Sequence, residues 1–437
     1  MIMDEKKKTR KKELRQQMVC EWLQSNYLDY ERLRYDEVAN QVQISDSIDN
    51  THWRFLDERD LNSMVCQCVS DVEHNISKAE MVVALRSNLL PRVHPLRDYL
   101  VKLKPYEVEA NEPDWLTMKA AEVTLVNPDH QKMFEVCFKK WFVAMVASWL
   151  KDAIINHTVF VLIGEQGIFK TTWLERLMPE KLHNYMSKFM LEGGNCNRDV
   201  RARLYENGLL NIDELDAMTG YELNVLKSMI TTADVNDREV YAVMKTRHVR
   251  LASFCGSTNK REFLTDLTGN RRWLPFEVAS INNPFLSVVP TDRMYAQAVY
   301  LYEQGFNYWF DKDDIATLEG HNEEYRMQER EEEILPLLFE VPALGKGEFL
   351  TITEISDHLT TYGNIKRPMS TRALGVLMRK AGFEPNRQMI NGRRVRGYVV
   401  HKRTRDEIDL LKKSLVPAEP VETEEDSGTD GQQPELF

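Results

Sequence analysis

The sequence predicts an α/β fold of the P-loop kind, a parallel sheet with flanking helices, preceded by a helical N-terminal region and followed by a C-terminal winged-helix domain. Three observations predict it. Residues 160–172 (Phe-Val-Leu-Ile-Gly-Glu-Gln-Gly-Ile-Phe-Lys-Thr-Thr) read as a buried strand, a glycine-bearing loop and the start of a helix. Asn207–Asp216 reads as a second apolar strand that ends in two adjacent carboxylates. Between Phe349 and Val400, a strand, two helices and a basic hairpin follow one another in the order of a winged helix-turn-helix.

Taken in order, residues 1–17 are a lysine- and arginine-rich stretch expected to form a frayed arm. From Met18 to about residue 110 the pattern is mixed and mainly helical, with room for short extended pieces: Val19, Trp22 and Leu23, later Met81, Val82, Leu85 and Leu89, recur at helical spacing. Pro91 and Pro95 should end one helix and begin another. Lys104–Asp114 is polar and proline-flanked, an expected domain boundary, and residues 111–335 then form the central domain. A helix from about His130 to Asn156 carries Phe134, Phe138, Trp141, Phe142, Met145 and Trp149 on one broad face, which reads as core.

In the loop that follows, Gly164 and Gly167 would let backbone N–H groups cradle phosphate oxygens. Lys170 would reach the β- and γ-phosphates, Thr171 would hold Mg²⁺, and Thr172 beside it belongs to the same nucleotide-binding set. ATP and Mg²⁺ are therefore the expected cofactors. Phe169 stands where such a loop has a glycine, and it would be strained if that position needs a positive φ. At the end of the second strand Asp213 would orient the hydrated metal and Glu214 would polarise an attacking water.

Asp237–Lys245 and Thr246–Phe254 read as two strands around a basic turn with Lys245, Arg247 and His248, either a solvated hairpin or one that touches DNA. Leu251–Asn259 reads as a strand that delivers Thr258 and Asn259, a polar tip able to sense a γ-phosphate. Arg271 and Arg272 then sit together on a tight turn. Their planar, permanent charge suits a transferring phosphoryl group, often from a neighbouring subunit, although such pairs also form surface salt bridges.

Gly-x-x-Gly-x-x-Lys-Thr, Leu-Leu-x-Ile-Asp-Glu, Ser-Thr-Asn and Leu-Thr-Asp-x-Thr-Gly-Asn-Arg-Arg-Trp-x-Pro, in this order, resemble the virulence-associated E (VirE/VapE) family of phages and mobile elements, which belongs with superfamily 3-like helicases. The resemblance spans about residues 85–335 and is most specific over Phe263–Pro275. It implies an AAA+-related ATPase that assembles as a ring, expected as a hexamer, and moves on or melts DNA at a replication origin. Carried over, Lys170 and Thr171 match the phosphate loop, Asp213 and Glu214 the metal and water carboxylates, Asn259 the sensor, and Arg271 or Arg272 a finger acting in trans. Arg238 and Tyr241 also match, without a role.

The net charge of −11 hides a strong asymmetry. From Arg372 to Arg405 about ten basic residues face the single acid Glu384, while 416–437 holds about seven acids and no base. In the expected winged-helix domain, residues 345–405, Arg372 and Arg379 would lie on the groove-reading helix and Arg387, Arg393, Arg394 and Arg396 on a wing turning at Asn391-Gly392. A protein-docking winged helix is the other reading. Residues 414–437 read as a disordered acidic tail ending in Gln433-Pro434-Glu435-Leu436-Phe437, which resembles a peptide that docks on the replicative sliding clamp through Gln433, Leu436 and Phe437.

The six cysteines form no Cys-x-x-Cys pair, and no apolar run approaches the roughly 20 residues of a membrane span. A zinc finger and a membrane partner are thus excluded, and the expected location is the cytoplasm of a bacterial host. A primase fusion is disfavoured because the first hundred residues show no cluster of metal-binding carboxylates. Two functions remain: an ATP-dependent DNA helicase or replication initiator, and a nucleotide-dependent DNA-binding regulator with blunted hydrolysis.

Overall fold

The computed structural model of the chain describes residues 2–46, 52–108, 111–191, 197–213, 215, 218–237, 245–264, 270–343, 347–363, 365, 368–390 and 392–415. It divides into two units, Met1–Arg326 and Met327–Phe437. The architecture is mixed α/β.

The first unit opens with a helix, Ile2–Leu23, so the expected frayed arm is helical backbone. The region after it is not helical throughout: β1 (Leu33–Asp36), β2 (Gln41–Ser45) and β3 (Trp53–Phe55) form an antiparallel meander. β4 (Arg92–Val93) adds to β1 in parallel, and the order is β3-β2-β1-β4. These strands have two to five residues, too few to show a period of two, and their pairing is non-local. Two helices, Glu58–Val72 and Lys78–Leu85, open on capping boxes at Asp57 and Ser77.

The boundary expected near residue 110 does not separate compact units. Buried Asp36 accepts the backbone N–H groups of Val38 and Ala39 at 2.9 and 3.0 Å and the Gln43 amide at 2.9 Å. It also takes the hydroxyl of Tyr185, 149 residues away in the central domain. Burial raises the Asp36 pKa, and these donors oppose that shift.

The central sheet contains β5 (Val123–Leu125), β6 (Val159–Ile163), β7 (Met186–Phe189), β8 (Leu209–Ile212), β11 (Ser253–Thr258) and β12 (Trp273–Ile281), with the short strands β9 (Asp234–Asp237) and β10 (Thr246–Val249) forming a separate hairpin. Its order is β5-β12-β6-β11-β8-β7, parallel except at the β12–β5 edge. β6 is buried on both faces. Phe160 and Leu162 pack with Phe134, Phe138 and Trp141 of the helix Gln131–Leu150. Val159, Val161 and Ile163 pack on the other face with Leu204 and Leu226 of the helices Arg198–Glu206 and Gly220–Thr231. A parallel strand covered on both sides should read as a continuous apolar run, as this one does.

In the second unit the helix Arg330–Leu338 leads to β13 (Phe339–Glu340) and β14 (Glu348–Thr351). The helices Ile352–Gly363 and Thr371–Lys380 follow, then β15 (Pro385–Ile390) and β16 (Arg393–Lys402). The acidic segment 311–333 is two helices with a 3₁₀ turn between them, and the units divide within it, after Arg326. Asp311 caps the first with a capping box, which sets where that helix starts. Among the described residues, no helix is long and apolar enough to cross a membrane, and no His, Cys, Asp or Glu cluster could hold a metal on its own.

Candidate functional site

β6 runs out at Ile163 into a loop whose glycines serve different needs. Gly164 has φ +156°, and a Cβ there would come within 2.7 Å of the Val278 carbonyl oxygen, so close approach to β12 fixes its identity. Gly167 has φ +89° and faces open space. Phe169 has φ 69° and ψ 16°, the left-handed conformation that a glycine would adopt freely. For an L-residue that costs about 1–2 kcal/mol. Its side chain is 39% exposed.

Lys170, the first residue of the helix Lys170–Glu175, is buried. Its Nζ donates to the carbonyl oxygens of Gly164 at 2.7 Å and Glu165 at 2.6 Å and to Asn259 Oδ1 at 3.1 Å. Thr171 Oγ1 lies 3.1 Å from Ser257 Oγ. Asp213, at the end of β8, accepts from Lys188 Nζ on β7 at 3.0 Å. The parallel register Ile212↔Gly256 and Ile163↔Thr258 places these ends side by side. One cleft of about 460 Å³ is lined by Phe169, Lys170, Thr171, Thr172, Asp213 and Asn259. Gln166 and Ser257 line it too, and the sequence reading did not single them out. The signal for Ser257 was its place two residues before Asn259, at the end of the strand that delivers it.

Arg271 and Arg272 are not in this cleft. They occupy a 3₁₀ turn immediately before Trp273, which pairs with Val159, the first residue of β6. They therefore sit at the amino end of the strand whose carboxyl end carries the loop, separated by its five residues, roughly 16 Å of chain. There they line a second cleft of about 440 Å³ with Ile155, His157, Tyr308, Trp309 and Phe310. Burial lowers the pKa of His157, and Arg250 and Arg272 add to the effect.

The hairpin β9–β10 forms with Asp234–Asp237 as its described first strand, and residues 238–244 of the strand expected over 237–245 lie outside the described residues. Arg247 lies on β10 instead of a turn, because Thr246 already pairs with Asp237. Arg247 forms an ion pair with Asp234, and the ring of His248 stacks on Tyr205 at 4.0 Å. Lys245 is exposed just before β10. Next in sequence, Arg250 is 1% exposed, and backbone carbonyls receive its donors: Nε to Ala252 at 2.9 Å, Nη2 to Asn156 at 2.6 Å, and Nη1 to Ile230 and Met229 near the end of the helix Gly220–Thr231. Nothing in the sequence distinguished it from its exposed basic neighbours.

In the second unit Arg372 is exposed near the start of the helix Thr371–Lys380 and Arg379 near its end, while Arg393, Arg394 and Arg396 lie on β16. Glu214, Arg238, Tyr241, Asn391 and the tail residues Gln433, Leu436 and Phe437 lie outside the described residues.

Residues 114–327 match the virulence-associated protein E-like domain. The VapE-like domain spans all six strands of the central sheet, the cleft at Lys170 and the turn of Arg271 and Arg272. Solved structures similar to the chain include two of the NrS-1 C terminal region, its apo structure (305–718) and its A form apo structure. Both show 12% identity and cover 84% of this chain and 96% of that one, with TM-scores of 0.42 and 0.41. No curated protein matches the chain.

Proposed function

We propose that the chain is an ATP-driven, ring-forming DNA helicase or replication initiator of a phage or mobile element, with an AAA+-related P-loop core and a winged-helix DNA-binding domain at 345–405. One observation carries this reading. Lys170, Thr171, Asp213 and Asn259, spread over 89 residues of sequence, meet in one cleft at the carboxyl ends of parallel strands. That is where open α/β sheets bind ligands, and the cleft has the size of a small-molecule site.

The residues fit a metal nucleotide. Mg²⁺ takes one or two carboxylates together with substrate phosphates and keeps its remaining waters, and Thr171 and Asp213 supply a hydroxyl and a carboxylate to the same cleft. When bound, the ion would neutralise charge on the β- and γ-phosphates. The chain's own parts then have separate tasks. Lys170 exchanges its carbonyl partners for phosphate oxygens, Asn259 reports on the γ-phosphate, and Glu214 polarises water. Arg271 or Arg272 acts on the nucleotide of a neighbouring copy, since the length of β6 keeps both from their own.

DNA would contact Lys245 and Arg247 on the first-unit hairpin. In the winged-helix domain Arg372 and Arg379 would serve the groove, and Arg393, Arg394 and Arg396 the phosphates. The assembly is a homo-oligomer, as a hexamer, in a bacterial cytoplasm, and the tail residues Gln433, Leu436 and Phe437 would tether it to a sliding clamp.

ATP hydrolysis with and without single-stranded DNA tests the reading. DNA should stimulate turnover in the parent chain. Lys170→Ala should abolish it, and Arg271→Ala with Arg272→Ala should lower it by about 10³-fold or more, the usual worth of an arginine finger. The left-handed Phe169 favours one rival, a DNA-binding regulator whose loop binds nucleotide without turning it over. Absent turnover with DNA binding intact would select it.

A further inference from the structure

Two features of the first unit have no task in this scheme. One is Phe169, which holds a strained backbone and presents its ring at the rim of the phosphate cleft. Such strain persists where surrounding structure enforces it, and it gathers at functional positions. The other is the open aromatic cleft beside the arginine pair. Tyr308 and Trp309 meet there edge to face at 5.4 Å, and Trp309 is 57% exposed. Lys140 holds the Trp309 backbone by donating to its carbonyl at 3.1 Å and pairs with Asp314 at 2.5 Å.

We propose that this cleft receives Phe169 of a second copy of the chain. The inference rests on the ring reading above and follows from which residues share walls. Phe169 and Lys170 line one cleft, and Arg271, Arg272, Tyr308, Trp309 and Phe310 line the other. Within one chain the two lie at opposite ends of β6. When the arginines of one copy reach the phosphates of its neighbour, their aromatic cleft comes up against the neighbour's loop and the ring that projects from it.

Asp213, paired with Lys188, lines the cleft with Phe169, and the opposing wall carries Arg271 and Arg272. A projection on one face that fits a recess on a different face is a heterologous contact, the kind that closes into rings. Phe169 then acts as a seating residue. Burying its ring against a neighbour offsets the backbone strain that glycine would have avoided.

Cross-linking across the expected contact tests this. Chains carrying Phe169→Cys and chains carrying Trp309→Cys, both with exposed Cys66 changed to Ser, are mixed with Mg²⁺ and a non-hydrolysable ATP analogue. A short bis-maleimide is then added. The mixture should give an inter-chain dimer at least tenfold above either variant alone, and the double variant should give a ladder of higher multimers. Both positions are exposed, so the variants should fold. In parallel, Trp309→Ala should raise the concentration needed for assembly at least tenfold by sedimentation, with unchanged circular dichroism. Nucleotide-dependent oligomers that hydrolyse ATP yet cross-link no better than the single variants would overturn the Phe169 contact and leave the ring reading standing. A chain that stays monomeric with nucleotide overturns both.

Discussion

Arg250 is the residue whose environment departs furthest from its sequence. Fully buried, it has its pKa pushed down to about 9 by desolvation, and it donates to the carbonyls of Met229 and Ile230 in the last turn of a helix, the first of which also accepts the Thr232 N–H. It also ties the segment before β6, through Asn156, to the strand entering β11. A buried polar group that loses its partner costs about 1–3 kcal/mol. Arg250→Met removes the donors to several carbonyls at once, so urea unfolding should show a loss of at least about 3 kcal/mol. The exposed Arg271→Met should change stability by less than about 0.5 kcal/mol. Phe169 is the second residue of note: its sequence showed only a missing glycine, and the structure turns that absence into a left-handed backbone with an exposed ring.

Among elements, the hairpin β15–β16 stands out for its charge. Arg387 lies directly opposite Arg396, and Met389 and Ile390 lie opposite Arg394 and Arg393. Like charges paired across strands destabilise a hairpin by a few tenths of a kcal/mol, a cost that nearby phosphates would reverse. Arg387→Ala should therefore leave thermal stability unchanged or slightly raised. On the proposed DNA reading it should weaken duplex binding and reduce the slope of log affinity against log salt by roughly one, measured by anisotropy. An unchanged slope would remove this hairpin from the DNA surface. The helix Gln131–Leu150 shows the opposite balance, since it is buried on nearly all sides and its aromatic residues serve only as the back of the sheet.

At the scale of the whole molecule, four histidines with lowered pKa values set an acid limit on folding. Burial lowers the pKa of His321, whose Nε2–H donates to the Pro275 carbonyl at 2.8 Å, and burial likewise lowers those of His94, His157 and His358. A histidine whose folded pKa is depressed takes up protons more readily when unfolded. Its effect is absent above the ordinary value of about 6.5, and stability falls as pH drops from there toward the folded pKa. The melting temperature should decline between pH 7 and pH 5. His321→Gln, which keeps a donor for Pro275, should flatten that decline, and an equal decline in both proteins would rule His321 out.

By itself the sequence determined the parts of this protein whose physics is local. An apolar run of five residues followed by Gly164 and Gly167 can be little other than a buried strand entering a tight loop, and β6 and its loop follow that pattern. The helices and hairpin of 352–402 were legible for the same reason, from spacing and the turn at Gly392, while the cap at Ser370 came from the structure. Tertiary structure alone decided what depends on partners distant in the chain. Short β1–β4 pair across up to 57 residues and looked helical, because two to five residues cannot distinguish one period from another. It also decided that Asn259 meets Lys170, that Arg250 is buried while Arg247 is not, and that Arg271 and Arg272 lie a strand's length from their own loop. The sheet register sets these last placements, and register arises from packing that no single segment carries.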